Sequence, residues 1–227
     1  DASLDNFNPT KLAPLVEMPR NKENGFFLLP GQYEFESQSY CLRVGTYAPW
    51  HNGPGSTYDP LKGPMSKIIS HVLENSCNHP EIDQHDIQIL LWAIISKSNI
   101  FHVNSQTFQI AAKLLTPQEI ALLNSGVRGL MRDKILPILI NALPKPIRQV
   151  LEIEKNIRNV FSKITNSVSA YEDIEKVTVL FGVEPPELLV RDIPSGRWSK
   201  HPDGFNIRFF PKGYQKTRIE LTVAEFS

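Results

Sequence analysis

The side chains best suited to chemistry are gathered in one stretch: His71, Glu74, Cys77, His79, Glu81, Asp83, His85 and Asp86. A metal ion needs such donors to converge on one point, and Glu81 and His85 stand one helical turn apart. The acids have a simpler use at the positive end of a helix, where Asp83 or Glu81 would cap backbone N–H groups. With no HExxH pair, paired CxxC or Asp-rich calcium loop beside them, capping is the expectation, and no metal or cofactor is assigned.

A second arrangement pairs Cys41 with His51, ten residues later. A thiol attacks as the thiolate, so a base must sit within reach; a loop folding back would make this pair a Cys/His transferase or peptidase. Cys41 and Cys77 are the only cysteines. In an exported protein they are expected to bridge, contributing on the order of 3–4 kcal/mol and removing the nucleophile; two unbridged thiols are the alternative. GxSxG, phosphate-loop and dinucleotide motifs are missing, and Ser56 in Gly55-Ser56-Thr57 reads as a turn residue. Glu34 and Glu36 share one face of a strand, the kind of pair a hydrolase assembles in space, but solvent-facing residues of a sheet look the same. No catalytic residue is assigned.

Binding chemistry is better represented. The run from Tyr40 to Pro64 is crowded with Gly, Pro and aromatic residues that a regular core does not require. Tyr47, Trp50, His51 and Tyr58 offer flat faces for a ligand to stack on, and Trp198, Phe205, Phe210 and Tyr214, with Arg208 for charge, extend that surface if the C-terminal strands lie alongside. An ordered lid over the core is the alternative reading of the same loop.

The elements that must position these residues follow from periodicity. Residues 1–24 are polar, with Pro9, Pro14 and Pro19 spaced along them, and read as an extended arm or a strap. Tyr33 and Phe35 alternate with Glu34 and Glu36 in a strand over residues 32–40. Helices follow over residues 64–76 and 82–96, the second apolar all round and hence central to a core. A short helix over 108–115 precedes Thr116-Pro117-Gln118-Glu119, a capping box with proline at the first helical position. Further helices are expected over 127–143, 146–164 and 169–181, the last two as an antiparallel hairpin.

Past Pro185-Pro186 the period changes to two, with Phe205, Ile207 and Phe209, then Ile219, Leu221 and Val223, alternating with polar residues. Pro202-Asp203-Gly204 and Pro211-Lys212-Gly213 mark turns. The expected fold is α+β: a central helical core (about 64–182) and a small antiparallel sheet in which the Tyr33 strand joins a C-terminal β-meander (about 195–224). Residues 25–227 are expected to form one domain.

Composition narrows the function. Formal net charge is zero, which does not suit a protein built to hold nucleic acid. The longest apolar run, Ile87–Ile95, is interrupted by Gln88 and falls short of the roughly 20 residues a membrane span needs. The chain opens on Asp1, consistent with a removed signal peptide, and it has no Asn-x-Ser/Thr acceptor. The expectation is an exported, non-enzymatic bacterial envelope or surface protein, in the periplasm, on the cell surface or outside the cell. It would bind a polysaccharide or an envelope protein through the aromatic loop. A hydrolase or Cys/His transferase, and a subunit of an envelope assembly, are the alternatives.

Overall fold

The computed structural model describes residues 1–22, 25–43, 46–49, 55–124, 152, 155–161, 170–180 and 193–224. The fold is α+β. By contacts the chain divides into two units: Asp1–Tyr40, Ala48–Pro60 and Glu184–Ser227 form one, Cys41–Tyr47 and Leu61–Val183 the other. The sequence pattern suggests a single domain over 25–227; the division arises because strands and helices each gather around an apolar core of their own.

The first unit is a five-stranded sheet. Its strands are β1 (Ala13–Pro14) and β2 (Gly31–Gln38) from the beginning of the chain, with β5 (Ser199–Lys200), β6 (Asn206–Lys212) and β7 (Lys216–Val223) from the end, in the order β1-β2-β7-β6-β5. The strand carrying Tyr33 therefore does join the C-terminal meander, antiparallel to β7 over eight residue pairs. Only β1 runs parallel to its neighbour. Tyr33, Leu221 and Ile207 lie directly opposite one another on three strands and are buried with Leu15. Side chains alternate across a strand, so this row fixes one face of the sheet as apolar and assigns Glu34, Glu220 and Arg208, also in register, to the other.

The turns follow the local sequence. His201 N–H bonds to the Phe205 carbonyl at 2.8 Å across Pro202-Asp203-Gly204, with Gly204 at φ 93°, a backbone shape that suits glycine. Pro211 lies inside β6 rather than in the next turn. It is accommodated because β5 pairs only with Asn206 and Ile207, leaving β6 an edge strand there.

The second unit is built around α2 (Gln84–Ile95), which follows α1 (Ser66–Ser76) and precedes α3 (Ser105–Leu114) and α4 (Pro117–Asn124). Every residue of α2 from Ile87 to Ile94 is buried, as its all-round apolar surface requires. The capping box forms: Thr116 N–H bonds Glu119 at 2.8 Å, and Glu119 N–H bonds the Thr116 hydroxyl at 3.2 Å. Residues 155–161 are helical with Ile157 and Phe161 buried, and α5 (Ala170–Thr178) buries Ile174. The chain leaves α5 as a strand, β4 (Val179–Leu180), parallel to β3 (Thr46–Tyr47), where the sequence pattern continues the helix to 181. The helix expected over 127–143, and most of that over 146–164, lie outside the described residues.

Candidate functional site

On the apolar face of the sheet, Tyr58 packs against the Tyr33–Leu221–Ile207 row together with Phe205. Its ring centroid is 4.6 Å from that of His201, and His201 stacks on Phe205 at 4.3 Å with the rings 8° apart. All three are half-buried, forming a short series of rings. The loop carrying Tyr58 is held by its backbone: Gly55 N–H bonds the Ile193 carbonyl at 2.6 Å, Ser56 bridges Phe209, and Tyr58 N–H bonds the Ser199 hydroxyl at 3.0 Å. A Cβ on Gly55 would stand 2.0 Å from the Pro194 carbonyl oxygen, so this approach is open only to glycine.

Earlier in the same run, Thr46 and Tyr47 belong to the helical unit, where they pair with Val179 and Leu180. Trp50 and His51 lie outside the described residues.

Trp198 and Arg208, expected beside Tyr58, lie on the opposite face, because Ser199 and Ile207 take the apolar side in register and alternation turns their neighbours away. Trp198 is fully buried and Arg208 is 7% exposed. The guanidinium carbon of Arg208 lies 4.4 Å from the Trp198 ring and its Nε donates to Glu220 at 2.7 Å. Arg218 also reaches Glu220, and bonds Glu34 at 3.4 Å. Tyr214 is buried at the turn between β6 and β7, its carbonyl accepting from the Ser39 hydroxyl at 3.0 Å. These three residues therefore do not extend the Tyr58 surface.

The charged face continues outward to Glu36, which lies between Lys212, at 2.7 Å, and Lys216. Hydrogen bonds from Lys212 and then Lys216 favour its ionised form and hold its pKa at about 2, well below the ordinary glutamate value. The two glutamates noted for hydrolysis are thus committed to basic neighbours, Glu34 to Arg218 and Glu36 to the lysines.

No disulfide joins Cys41 and Cys77. Cys41 is buried, with its thiol 3.4 Å from the Arg43 carbonyl; Cys77 is exposed at the C-cap of α1, its thiol 3.5 Å from the Leu73 carbonyl. The expected bridge fails because the backbone of Cys41 is fixed against Gln88 of α2, while Cys77 is fixed at the end of another helix. A disulfide needs Cα atoms within about 7 Å, which separation in sequence does not reveal.

The acidic cluster disperses among separate partners. Asp83 caps α2 by accepting from His85 N–H at 2.8 Å, and the His85 ring lies 4.2 Å from that of Tyr171. His79 bonds Glu81 at 3.0 Å, Glu81 pairs with Lys113 at 3.3 Å, and His71 bonds Glu119 at 2.8 Å. Among the described residues, no group of three or more His, Cys, Asp or Glu side chains is placed to hold a metal ion. No described helix is long and apolar enough to cross a membrane.

Phe205, one of the C-terminal aromatic residues expected to extend the loop's surface, does lie beside His201 and Tyr58 on the apolar face. Sequence reasoning missed His201 as their partner, although it and Phe205 flank Pro202-Asp203-Gly204, and a hairpin places flanking residues side by side. The chain matches no protein-family model, no curated protein and no solved structure.

Proposed function

We propose that this protein is a non-enzymatic binding protein of the bacterial envelope or cell surface that takes a polysaccharide against the aromatic loop. The observation that carries the reading is the ring series Tyr58–His201–Phe205, with the backbone of Gly55, Ser56 and Tyr58 tied to the sheet unit. The apolar face of a pyranose stacks its C–H groups on aromatic rings, and rings already locked in place lose little entropy when a ligand arrives. Trp50 and His51 precede Gly55 in the sequence by a few residues and are the further rings this reading assigns to the ligand, whereas Trp198, Arg208 and Tyr214 are withdrawn from the Tyr58 surface. A polysaccharide is favoured over a protein partner because this ring set carries polar edges in place of a broad apolar patch. Without a bridge between the cysteines, export rests on the proline-spaced arm and the composition.

The Cys/His transferase reading loses support from the position of Cys41, whose thiol is turned to a carbonyl within its own turn. The test is affinity electrophoresis through gels cast with soluble cell-envelope polysaccharides. Retardation of the wild type, lost in Trp50→Ala/Tyr58→Ala with an unchanged melting temperature, is the expected result. Equal mobility of the two proteins in every retarding gel would reject the site.

A further inference from the structure

On the face of the sheet opposite Tyr58, residues 1–8 of the same chain lie against Trp198 and Arg208. Arg197 donates to both carboxylate oxygens of Asp5, from Nε at 2.9 Å and Nη2 at 2.6 Å. The Phe7 carbonyl accepts from the Trp198 indole N–H at 3.1 Å and from Arg208 Nη1 at 3.3 Å, and Arg208 also donates to the Asn8 side chain at 3.1 Å. The Phe7 ring lies 5.9 Å from that of Trp198, and the Asp1 nitrogen donates to the Trp198 carbonyl. These contacts amount to recognition of a short peptide folded in a turn, with Asp5 in helical backbone geometry: a bidentate arginine for a carboxylate, two donors on a main-chain carbonyl, and an indole for an aromatic side chain.

The two sides of this contact differ in how firmly they are built. The receiving side is part of the sheet. Glu220 holds Arg208 from beneath, Arg208 also lies 5.1 Å from the Phe210 ring, and β5, β6 and β7 are joined by backbone ladders. The covering side is light. Residues 1–8 pair with no strand, the turn Ala2–Leu4 buries no side chain, and Phe7 remains 36% exposed. A preformed cradle holding a weakly anchored segment favours exchange of the segment.

We propose that Arg197, Trp198 and Arg208 form a peptide-binding site whose resident occupant is residues 1–8, and that its partner is a turn-forming acidic peptide carrying a carboxylate two residues before an aromatic side chain. Such a peptide displaces the resident segment and takes over its contacts. The site is independent of the polysaccharide reading, since it uses the other face of the sheet and none of the same side chains.

The test uses the full chain and a fluorescently labelled synthetic peptide with the sequence of residues 1–8, followed by anisotropy. Loosening the resident segment with Asp5→Ala/Phe7→Ala is expected to tighten peptide binding by about ten-fold or more, because competition in cis is reduced. Adding Arg197→Ala is then expected to abolish it. Binding no tighter in the double variant than in the wild type, or binding that survives Arg197→Ala, would overturn the proposal. Hydrogen exchange on the unaltered protein gives a readout that needs no substitution. Amides of residues 3–7 are expected to exchange roughly a hundred-fold faster than those of β7. Equal protection would mean a fixed segment and would likewise overturn it.

Discussion

Gln88 holds the backbone of Cys41 on both sides: its amide oxygen accepts from Cys41 N–H at 2.8 Å, and its amide nitrogen donates to the Cys41 carbonyl at 3.0 Å. Gln88 is the polar residue that interrupts the apolar run of α2, and it is 2% exposed. A buried amide that satisfies a buried peptide group is worth more than its two hydrogen bonds suggest, because its loss strands one donor and one acceptor. Gln88→Leu keeps the volume and removes the pairing. It is expected to lower stability by roughly 2–5 kcal/mol in urea denaturation, against under about 1 kcal/mol if the contact is incidental.

The same contact governs thiol reactivity. Cys77 is exposed and Cys41 buried, so alkylation of the native, unreduced protein is expected to modify Cys77 alone. Denaturation without reductant should then release Cys41. Intact mass distinguishes the outcomes, and two cysteines that resist alkylation until reduced would show a bridge and contradict the structure.

On the sheet, Arg208 and Glu220 are both nearly buried, at 8% and 3% side-chain exposure. Removing one member of such a pair leaves the other charged without its partner. Glu220→Ala is therefore expected to cost about 3–5 kcal/mol, whereas replacing both with apolar residues of similar volume should cost far less. Comparing thermal or urea unfolding of Glu220→Ala with Arg208→Met/Glu220→Leu reads this directly. Similar losses in the two proteins would show that the pair acts through packing alone.

Glu36 gives the molecule an acid-sensitive contact. Its folded pKa of about 2 lies below the unfolded value, so its contribution to stability is present above the ordinary glutamate pKa of about 4.3 and is lost as the pH falls through about 2. A carboxyl titration by NMR should place Glu36 near 2 in the wild type. In Lys212→Ala/Lys216→Ala it should return towards about 4.3, and a midpoint that stayed low would show that other groups hold it.

Much of the fold was legible because period and turn chemistry are local. The alternation around Tyr33 and Ile207, the burial of α2 on all sides, and the Thr116–Glu119 capping box each follow from residues a few positions apart. The sheet shared by the two ends of the chain was legible too, since a lone hairpin needs further partners. The face of Trp198 was harder to see, because it depends on the register of a two-residue strand against Ile207. The strap was anticipated only as an alternative to an extended arm: the Asp5–Arg197 contact joins residues 192 positions apart, and nothing local announces it. The cysteine bridge failed for the same reason.

The most direct test of the binding account is an NMR titration of the ring resonances of Trp50, Tyr58, His201 and Phe205 with soluble envelope oligosaccharides. Shifts concentrated on these four rings, saturating with ligand and absent from Trp198 and Tyr214, are the predicted result. Saturating shifts elsewhere on the protein with these rings unmoved would contradict the aromatic loop as the binding site.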